Sequence, residues 1–447
     1  MAISRIDGNQ ENLTHGRLTT TPTRIDPSTV SYDGILHALD PFCRLPNTKR
    51  PGRAFLQTAV TILILVSLVF FSALAHAYLW RRLVSETVLS SAWHKALSTL
   101  LLVGAIVLPG TLILGRFVQR AKVSPAAMPA YVWLGIVVYL LICLGAIDLV
   151  KWTARKIKTG SVKTPIANPE RRVFLSRIAA GASVVGALGT VGYGVHSALG
   201  DVTTPRIDVA LPRLPRALDG FRIVQLSDMH IGAVLGRPFI DYVVETANAQ
   251  KPDIVVITGD LVDAPVDLIG PDVAALQGLK SRYGTYFVTG NHEYYANAAN
   301  WTAFIQKLGI EVLLNRSLSV GDNEASFDLA GIPDNRGGWF NHSHTPDLPR
   351  ATAGRDPDRE LVVLAHRPSA IDWSAEAIAG LQLSGHTHGG QFFPIHLASR
   401  LAEPYVSGLH RHNENTQIYV SCGTGFWGPP MRVMAPAEVT TIVLRSV

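Results

Sequence analysis

The chain has 447 residues, too many for one compact domain and enough for two or three. Charged residues make up only 17% and the mean hydropathy is +0.21, which argues against a wholly soluble enzyme and for membrane segments. The net charge of +6 sits largely beside apolar runs, so nucleic acid is not expected as a partner; Cys43, Cys143 and Cys422, with no CxxC, support neither a disulfide framework nor a thiolate zinc site.

Residues 1–53 are polar, rich in Thr, Pro, Asn and Asp, and read as a flexible tail. Four apolar segments follow within 54–199, predicted as transmembrane helices over 54–79, 96–114, 129–150 and 174–199. The second carries Pro109-Gly110 near its end, breakers that membrane helices tolerate when neighbours satisfy the freed backbone. Tyr131, Trp133 and Tyr139 supply aromatic anchors to the third, and the fourth is rich in Gly, Ala and Ser.

Basic loops predict the orientation. Arg81, Arg82 and Lys95 fall on the same side as Lys151, Arg155, Lys156, Lys158, Lys163, Arg171 and Arg172. The opposite side holds Arg44, Lys49, Arg50, Arg53, Arg116, Arg120 and Lys122. Ten against seven places the first set in the cytoplasm, and the fourth helix then carries the C-terminal domain outside. Arg171-Arg172-Val173-Phe174-Leu175 also resembles a twin-arginine export signal, although it is internal and Glu170 replaces the usual Ser or Thr.

From residue 200 the composition becomes that of a soluble α/β domain. Strands are predicted over 222–226, 254–258, 285–288, 361–364, 381–383, 418–420 and 440–444, with helices over 237–249 and 301–308. Most of these strands run into polar motifs: Ser227-Asp228-Met229-His230, Gly259-Asp260-Leu261-Val262-Asp263, Gly290-Asn291-His292-Glu293, Ala365-His366-Arg367-Pro368 and Gly385-His386-Thr387-His388. Open α/β sheets put their sites at such strand ends. In extended chain, residues two apart point the same way, so Asp228/His230 and His386/His388 can each reach into one pocket. Carboxylate, amide and imidazole donors together suit Mn, Fe, Zn or Ni. Seven such groups exceed what one ion needs and point to two divalent ions about 3.5–4 Å apart sharing a carboxylate, a pair that generates hydroxide near neutral pH. The leaving oxygen then calls for a histidine outside the metal ligands as acid.

In their order SDMHIG, GDLVD, GNHEYY, AHRP and GHTHGGQ, these motifs closely resemble the calcineurin-like metallophosphoesterase family, in its membrane-associated bacterial branch. The resemblance covers about residues 205–447 and includes the flanking Leu211-Pro212-Arg213-Leu214-Pro215 and Gly428-Pro429-Pro430. It implies a four-layer α/β/β/α sandwich. It also implies that Asp228, His230 and His388 hold one metal, that Asn291, His366 and His386 hold the other, that Asp260 bridges them, and that His292 is the general acid.

Other residues carry weaker signals. His342, His344, His396, His410 and His412 are read as non-ligands, Asp263 as shaping its loop, and Glu293 as holding His292 or a ligand. Asp334, beside Pro333, is left open to a substrate-side role. The leading expectation is a membrane-tethered phosphodiesterase or pyrophosphatase acting outside the cytoplasm on a phosphate ester, with the tether favouring a lipid-linked one. A UDP-linked lipid-precursor pyrophosphatase is the alternative enzyme and requires the opposite topology. A scaffold or sensor with a structural metal site is the alternative outside catalysis, although it has no need of His292.

Overall fold

A computed structural model of the chain describes residues 51–117, 120–158, 168–232 and 234–447. Residues 1–50 of the tail, with Arg44, Lys49 and Arg50, lie outside them, as does Lys163.

Four long helices come first: α1 (Pro51–Trp80), α2 (Ser91–Phe117), α3 (Arg120–Lys158) and α4 (Pro169–Leu199). Each contains a stretch long and apolar enough to cross a membrane. α2 runs unbroken through Pro109. α4 starts at a cap in which the Asn168 side chain accepts the Glu170 N–H at 2.9 Å, with Pro169 in the first turn where its missing N–H costs nothing. Phe70, Phe71, Leu74, Leu102, Ile106 and Val185 all point outward, as side chains facing lipid do.

Charged and polar groups at one end of this bundle pair across the helices. Arg82 is buried between Glu86 and Asp148 (3.0 Å to the latter), and Tyr78 donates to Asp148 at 2.8 Å. Arg177 donates to the carbonyls of Thr87 and Val88, both at 2.8 Å. The α1–α2 turn, the end of α3 and the start of α4 therefore meet at one end.

The remaining chain builds two sheets. Strand β1 (Arg206–Leu211) leads to β2 (Arg222–Leu226), α5 (Arg237–Ala249), β3 (Ile254–Ile257), α6 (Val266–Val273) and β4 (Thr285–Phe287). Then come α7 (Asn291–Tyr295), α8 (Ala298–Lys307), β5 (Glu311–Val312), β6 (Arg316–Gly321), β7 (Ser326–Gly331), α9 (Gly337–Phe340) and α10 (Leu348–Ala351). The last run is β8 (Leu361–Leu364), α11 (Ile371–Glu376), β9 (Leu381–Ser384), α12 (Ile395–Ala402), β10 (Gly408–Arg411), β11 (Gln417–Val420) and β12 (Thr440–Ser446). One sheet has the order β1-β12-β2-β3-β4-β5 and the other β10-β11-β9-β8-β7-β6. Strands β2 to β5 are parallel, as are β7, β8, β9 and β11.

Successive side chains explain the layering. Ile223, Ile254, Val256, Val362, Leu364, Leu381 and Leu383 meet between the sheets. Their neighbours Val224, Val255 and Ile257 face α5, α6 and α8, while Leu361 and Val363 face α10 and Ala370, just before α11. The result is an α/β/β/α sandwich preceded by the helical bundle. Strands buried on both faces read as unbroken apolar runs, and these are the ones legible in the sequence. Those that escaped it, β1, β5, β6, β7 and β10, are edge or near-edge strands or interrupted by polar residues such as Asp208, Asp328 and His410.

The sandwich sits on the other end of the bundle. Phe392 and Met431 are buried in the same apolar cluster as Val137, Tyr139 and Val191. Gly194 of α4 allows this approach, since a Cβ there would stand 3.1 Å from Val433 Cγ2, and its carbonyl accepts the Arg432 N–H at 2.9 Å.

Candidate metal centre

Each motif begins where a parallel strand ends. Asp228 and His230 follow β2, Asp260 and Asp263 follow β3, Asn291 and His292 open α7 after β4, His366 and Arg367 follow β8, and His386 and His388 follow β9. Local geometry departs from the extended chain expected for the paired residues. Asp228, His230, Asp260, His386 and His388 all have positive φ, between 48° and 69°. Such left-handed backbone is costly for residues with a Cβ and concentrates at functional sites. It turns His386 and His388 into two neighbouring groups instead of one pocket. Gly290 makes room at the centre, since a Cβ there would stand 2.5 Å from the Asp260 amide nitrogen.

Asp228, His230 and His388 bring one ligand atom each within 4.8 Å of one another, and so do Asp260, His366 and His386. The His230 and His388 Nε2 atoms face each other at 3.1 Å, and His366 Nε2 faces His386 Nδ1 at 3.2 Å. Asp260 Oδ2 lies between the groups, 3.2 Å from His366 Nε2 and 3.9 Å from His230 Nε2. The outer contacts set the tautomers. His366 Nδ1 lies 2.8 Å from the Thr258 carbonyl and His230 Nδ1 lies 2.9 Å from Asp263, and both oxygens can only accept. Each ring therefore carries its proton on Nδ1 and aims Nε2 inward, as metal-binding imidazoles do. Facing nitrogens beside carboxylates fit divalent cations of the borderline class.

Charge in the site follows from the same contacts. Burial pushes the Asp260 carboxyl up, but His366 and His292 outweigh it and hold it well below the usual range. Burial lowers His366, yet Asp260 raises it more, to about 10. That proton is the one a cation would displace. His386 and His388 stay neutral far below the ordinary imidazole value because they are buried and flanked by Arg367 and His230 respectively.

Asn291 is buried, and its Oδ1 accepts from Arg367 Nη2 at 3.2 Å. Arg367 is itself held by Asp334 at 2.7 Å and by Glu403 at 3.6 Å. Asp334, left open from the sequence, thus anchors the arginine beside Asn291. Asp263 does more than shape its loop: one oxygen accepts from both His230 and His292 Nδ1, the latter at 2.6 Å. Glu293 holds the proposed ligand Asp260 through its backbone. Its carboxylate is fully buried and takes the N–H groups of Gly290, Asp260, Leu261 and Val262, tying two motifs together. Burial, reinforced by Asp260, raises Glu293 to about 7.

Sequence reasoning gave no role to Glu403 or Arg432. Glu403 Oε1 stands 3.9 Å from His386 Nε2. Arg432, fully buried, donates to the Gly425 and Ala435 carbonyls at 2.9 and 2.8 Å and reaches His388 Nδ1 at 3.3 Å. Neither stands in a motif, and no sequence signal marks them. The Trp427 ring approaches His292 at 6.5 Å. Among the described residues, His342, His344, His396, His410 and His412 belong to no metal-binding group; His344 instead meets the Tyr294 hydroxyl at 3.0 Å.

Residues 221–390 match the family model for calcineurin-like phosphoesterases. A zebrafish transmembrane protein with metallophosphoesterase domain is 30% identical over 407 residues, covering 88% of this chain and 91% of its own. The chain belongs to the calcineurin-like phosphoesterase family. An uncharacterized metallophosphoesterase of Helicobacter pylori is 36% identical over 264 residues, 58% of this chain and 68% of that one. The bovine transmembrane protein with metallophosphoesterase domain is 39% identical over 255 residues, and the match spans only 57% of its length. Relatives thus lie in vertebrates as well as bacteria. Four apolar helices, together with relatives named as transmembrane proteins, make this family member a membrane protein.

Proposed function

We propose that the protein is a membrane-anchored phosphodiesterase or pyrophosphatase that uses two divalent ions. The observation that carries this reading is the pair of facing imidazole–carboxylate groups with Asp260 between them. Asp228, His230 and His388 would hold one ion, Asn291, His366 and His386 the other, and Asp260 both. When bound, such a pair supplies a nucleophile from water at neutral pH and neutralises phosphate charge.

The chain's own groups do the rest. His292 gives the proton to the leaving oxygen, and Asp263 fixes the ring by accepting from Nδ1, so that Nε2 is the acid. Arg367 orients the Asn291 amide with its oxygen fixed. The excess of basic residues at the bundle end away from the sandwich supports an extracytoplasmic site, as does the twin-arginine-like pair at the start of α4. A tether beside the bilayer favours a lipid-linked ester.

The test uses the full chain in detergent, stripped with chelator and reloaded with Mn, Fe, Zn or Ni. Bis-p-nitrophenyl phosphate hydrolysis is expected to return with metal. It should fall by about 10²–10⁴-fold in His292→Ala, the range for loss of a general acid, and at least as far in Asp260→Asn. Two bound ions without turnover of any diester, monoester or pyrophosphate would leave a structural metal site in its place.

A further inference from the structure

Directly after GHTHGGQ the chain enters α12 and returns to the site at Glu403, whose carboxylate lies beside His386 and Arg367. In a soluble domain, such a helix would turn its apolar side onto the core. Here Ile395, Leu397, Ala398, Leu401 and Ala402 share one side, and every one of them is exposed, Leu401 at 82%. The better covered residues are polar: His396, which lies over Gly390, and Ser399. The amphipathic helix is inverted, with its polar side on the protein.

What covers the apolar side is decided by its surroundings. Phe392, three residues before α12, is buried in the apolar cluster of the bundle, as is Met431. Val191 in that cluster lies eight residues before the end of α4, about 12 Å along the helix axis, so the contact reaches the last turns of a membrane span. Phe393, Trp427 and Met434 flank these two anchors and are exposed, Met434 at 94%. Trp427 is held in place by Gln391, which accepts its N–H at 3.0 Å and donates to its carbonyl at 2.9 Å. Exposed tryptophan beside a membrane helix is the composition of the bilayer interface. The apolar side of α12 therefore adjoins exposed apolar residues that sit beside the last turns of a candidate membrane span.

We propose that α12, with Phe393, Trp427 and Met434, lies in the lipid head-group layer and admits to the metal site the phosphate of a lipid whose chains stay in the bilayer. This rests on the phosphoesterase reading of the same site. It commits the apolar side to the bilayer, leaving a protein partner or a second copy as the competing occupants. Interfacial helices bury their apolar face at this depth. The head group would then reach the metal ligands past Trp427, which stands against His292.

Two measurements on the full chain in phosphatidylcholine–phosphatidylglycerol nanodiscs test this. First, nitroxide labels are placed at Leu397→Cys, Leu401→Cys and Glu324→Cys, the last an exposed control on the β6–β7 turn, with Cys43, Cys143 and Cys422 replaced by Ser. Labels at 397 and 401 are expected to collide with oxygen in preference to a water-soluble nickel chelate, and the label at 324 the reverse. Preference for the chelate at 401, or shielding from both reagents as under a protein partner, overturns the proposal.

Second, bis-p-nitrophenyl phosphate is compared with a p-nitrophenyl phosphodiester of a dialkylglycerol dissolved in the nanodisc. Wild type should favour the anchored ester, and the double variant Leu397→Glu/Leu401→Glu should lose at least tenfold on it while staying within twofold on the soluble one. Equal wild-type rates on the two overturn lipid access. Absence of turnover on both removes the phosphoesterase reading instead, and the nitroxide result still decides where α12 lies.

Discussion

In the helical bundle, Arg82 lies between Glu86 and Asp148, Tyr78 donates to Asp148, and Trp133 donates to His76, which itself meets the Ser72 carbonyl. At the strand ends, by contrast, imidazole nitrogens face each other at 3.1 and 3.2 Å beside the carboxylates of Asp228 and Asp260. Both regions bury polar groups, but the first pairs a cation with its anions, whereas the second gathers metal-ligating atoms around shared points. In the bundle the buried Arg82 faces two carboxylates and Tyr78 and Trp133 find acceptors, pairings that lower the cost of polarity in an apolar setting. The strand ends bring imidazole and carboxylate ligand atoms to shared points and hold them there with left-handed backbone, an arrangement that fits a cation. Polar burial therefore marks a site where it gathers ligand atoms around a shared point, not where a cation already faces its anions.

The sharpest way to break this comparison is to remove one partner from each region. His386→Ala should abolish binding of one ion and lower hydrolysis by about 10³-fold, some 4 kcal/mol of barrier, read by metal analysis and kinetics. Unchanged metal content would mean that the facing nitrogens are ordinary hydrogen-bond partners.

The buried surroundings of the site are read separately through Cys422. Burial and the nearby Glu438 carboxylate push its thiol up to about 12. A raised value keeps the thiol protonated at pH 8, so iodoacetamide should react about 10³-fold more slowly than with an ordinary cysteine, its rate climbing with pH until about 12. A rate that levels off near pH 9 would show that the surroundings are wetter than the packing implies.

Asp263→Asn tests orientation without removing a proposed ligand, and is expected to lower hydrolysis by about 10–100-fold while metal content holds. Loss of an ion in this variant would move Asp263 among the ligands. The smallest effect belongs to the bundle. Asp148→Asn should cost about 2 kcal/mol of stability in thermal unfolding, less than a fully buried pair, because Glu86 and Asp148 are one-third exposed. Its metal content and turnover should stay at wild-type levels, and a change in either would couple the two regions.

Much of this was legible in the chain. The four helices stand out because crossing a membrane demands long apolar runs, and β2, β3, β8 and β9 stand out because strands buried on both faces must be apolar throughout. The proposed ligands and His292 are legible because each motif is short and follows such a strand. Strands such as β6 and β10 were not, since an edge strand carries polar residues that break the pattern.

By itself, then, the sequence determined which segments are apolar, which strand ends carry donors, and the family they resemble. Only the tertiary structure decided that Asp263 serves two histidines, that Glu293 holds the backbone of Asp260 and its neighbours, that Arg367 and Glu403 stand beside Asn291 and His386, and that Arg432 links Gly194 of a membrane helix to His388. It alone showed that α12 turns its apolar side outward. The reason is physical: composition and local spacing act within a few residues, whereas these contacts join positions far apart in the chain that meet only when two sheets and a helical bundle close on one another.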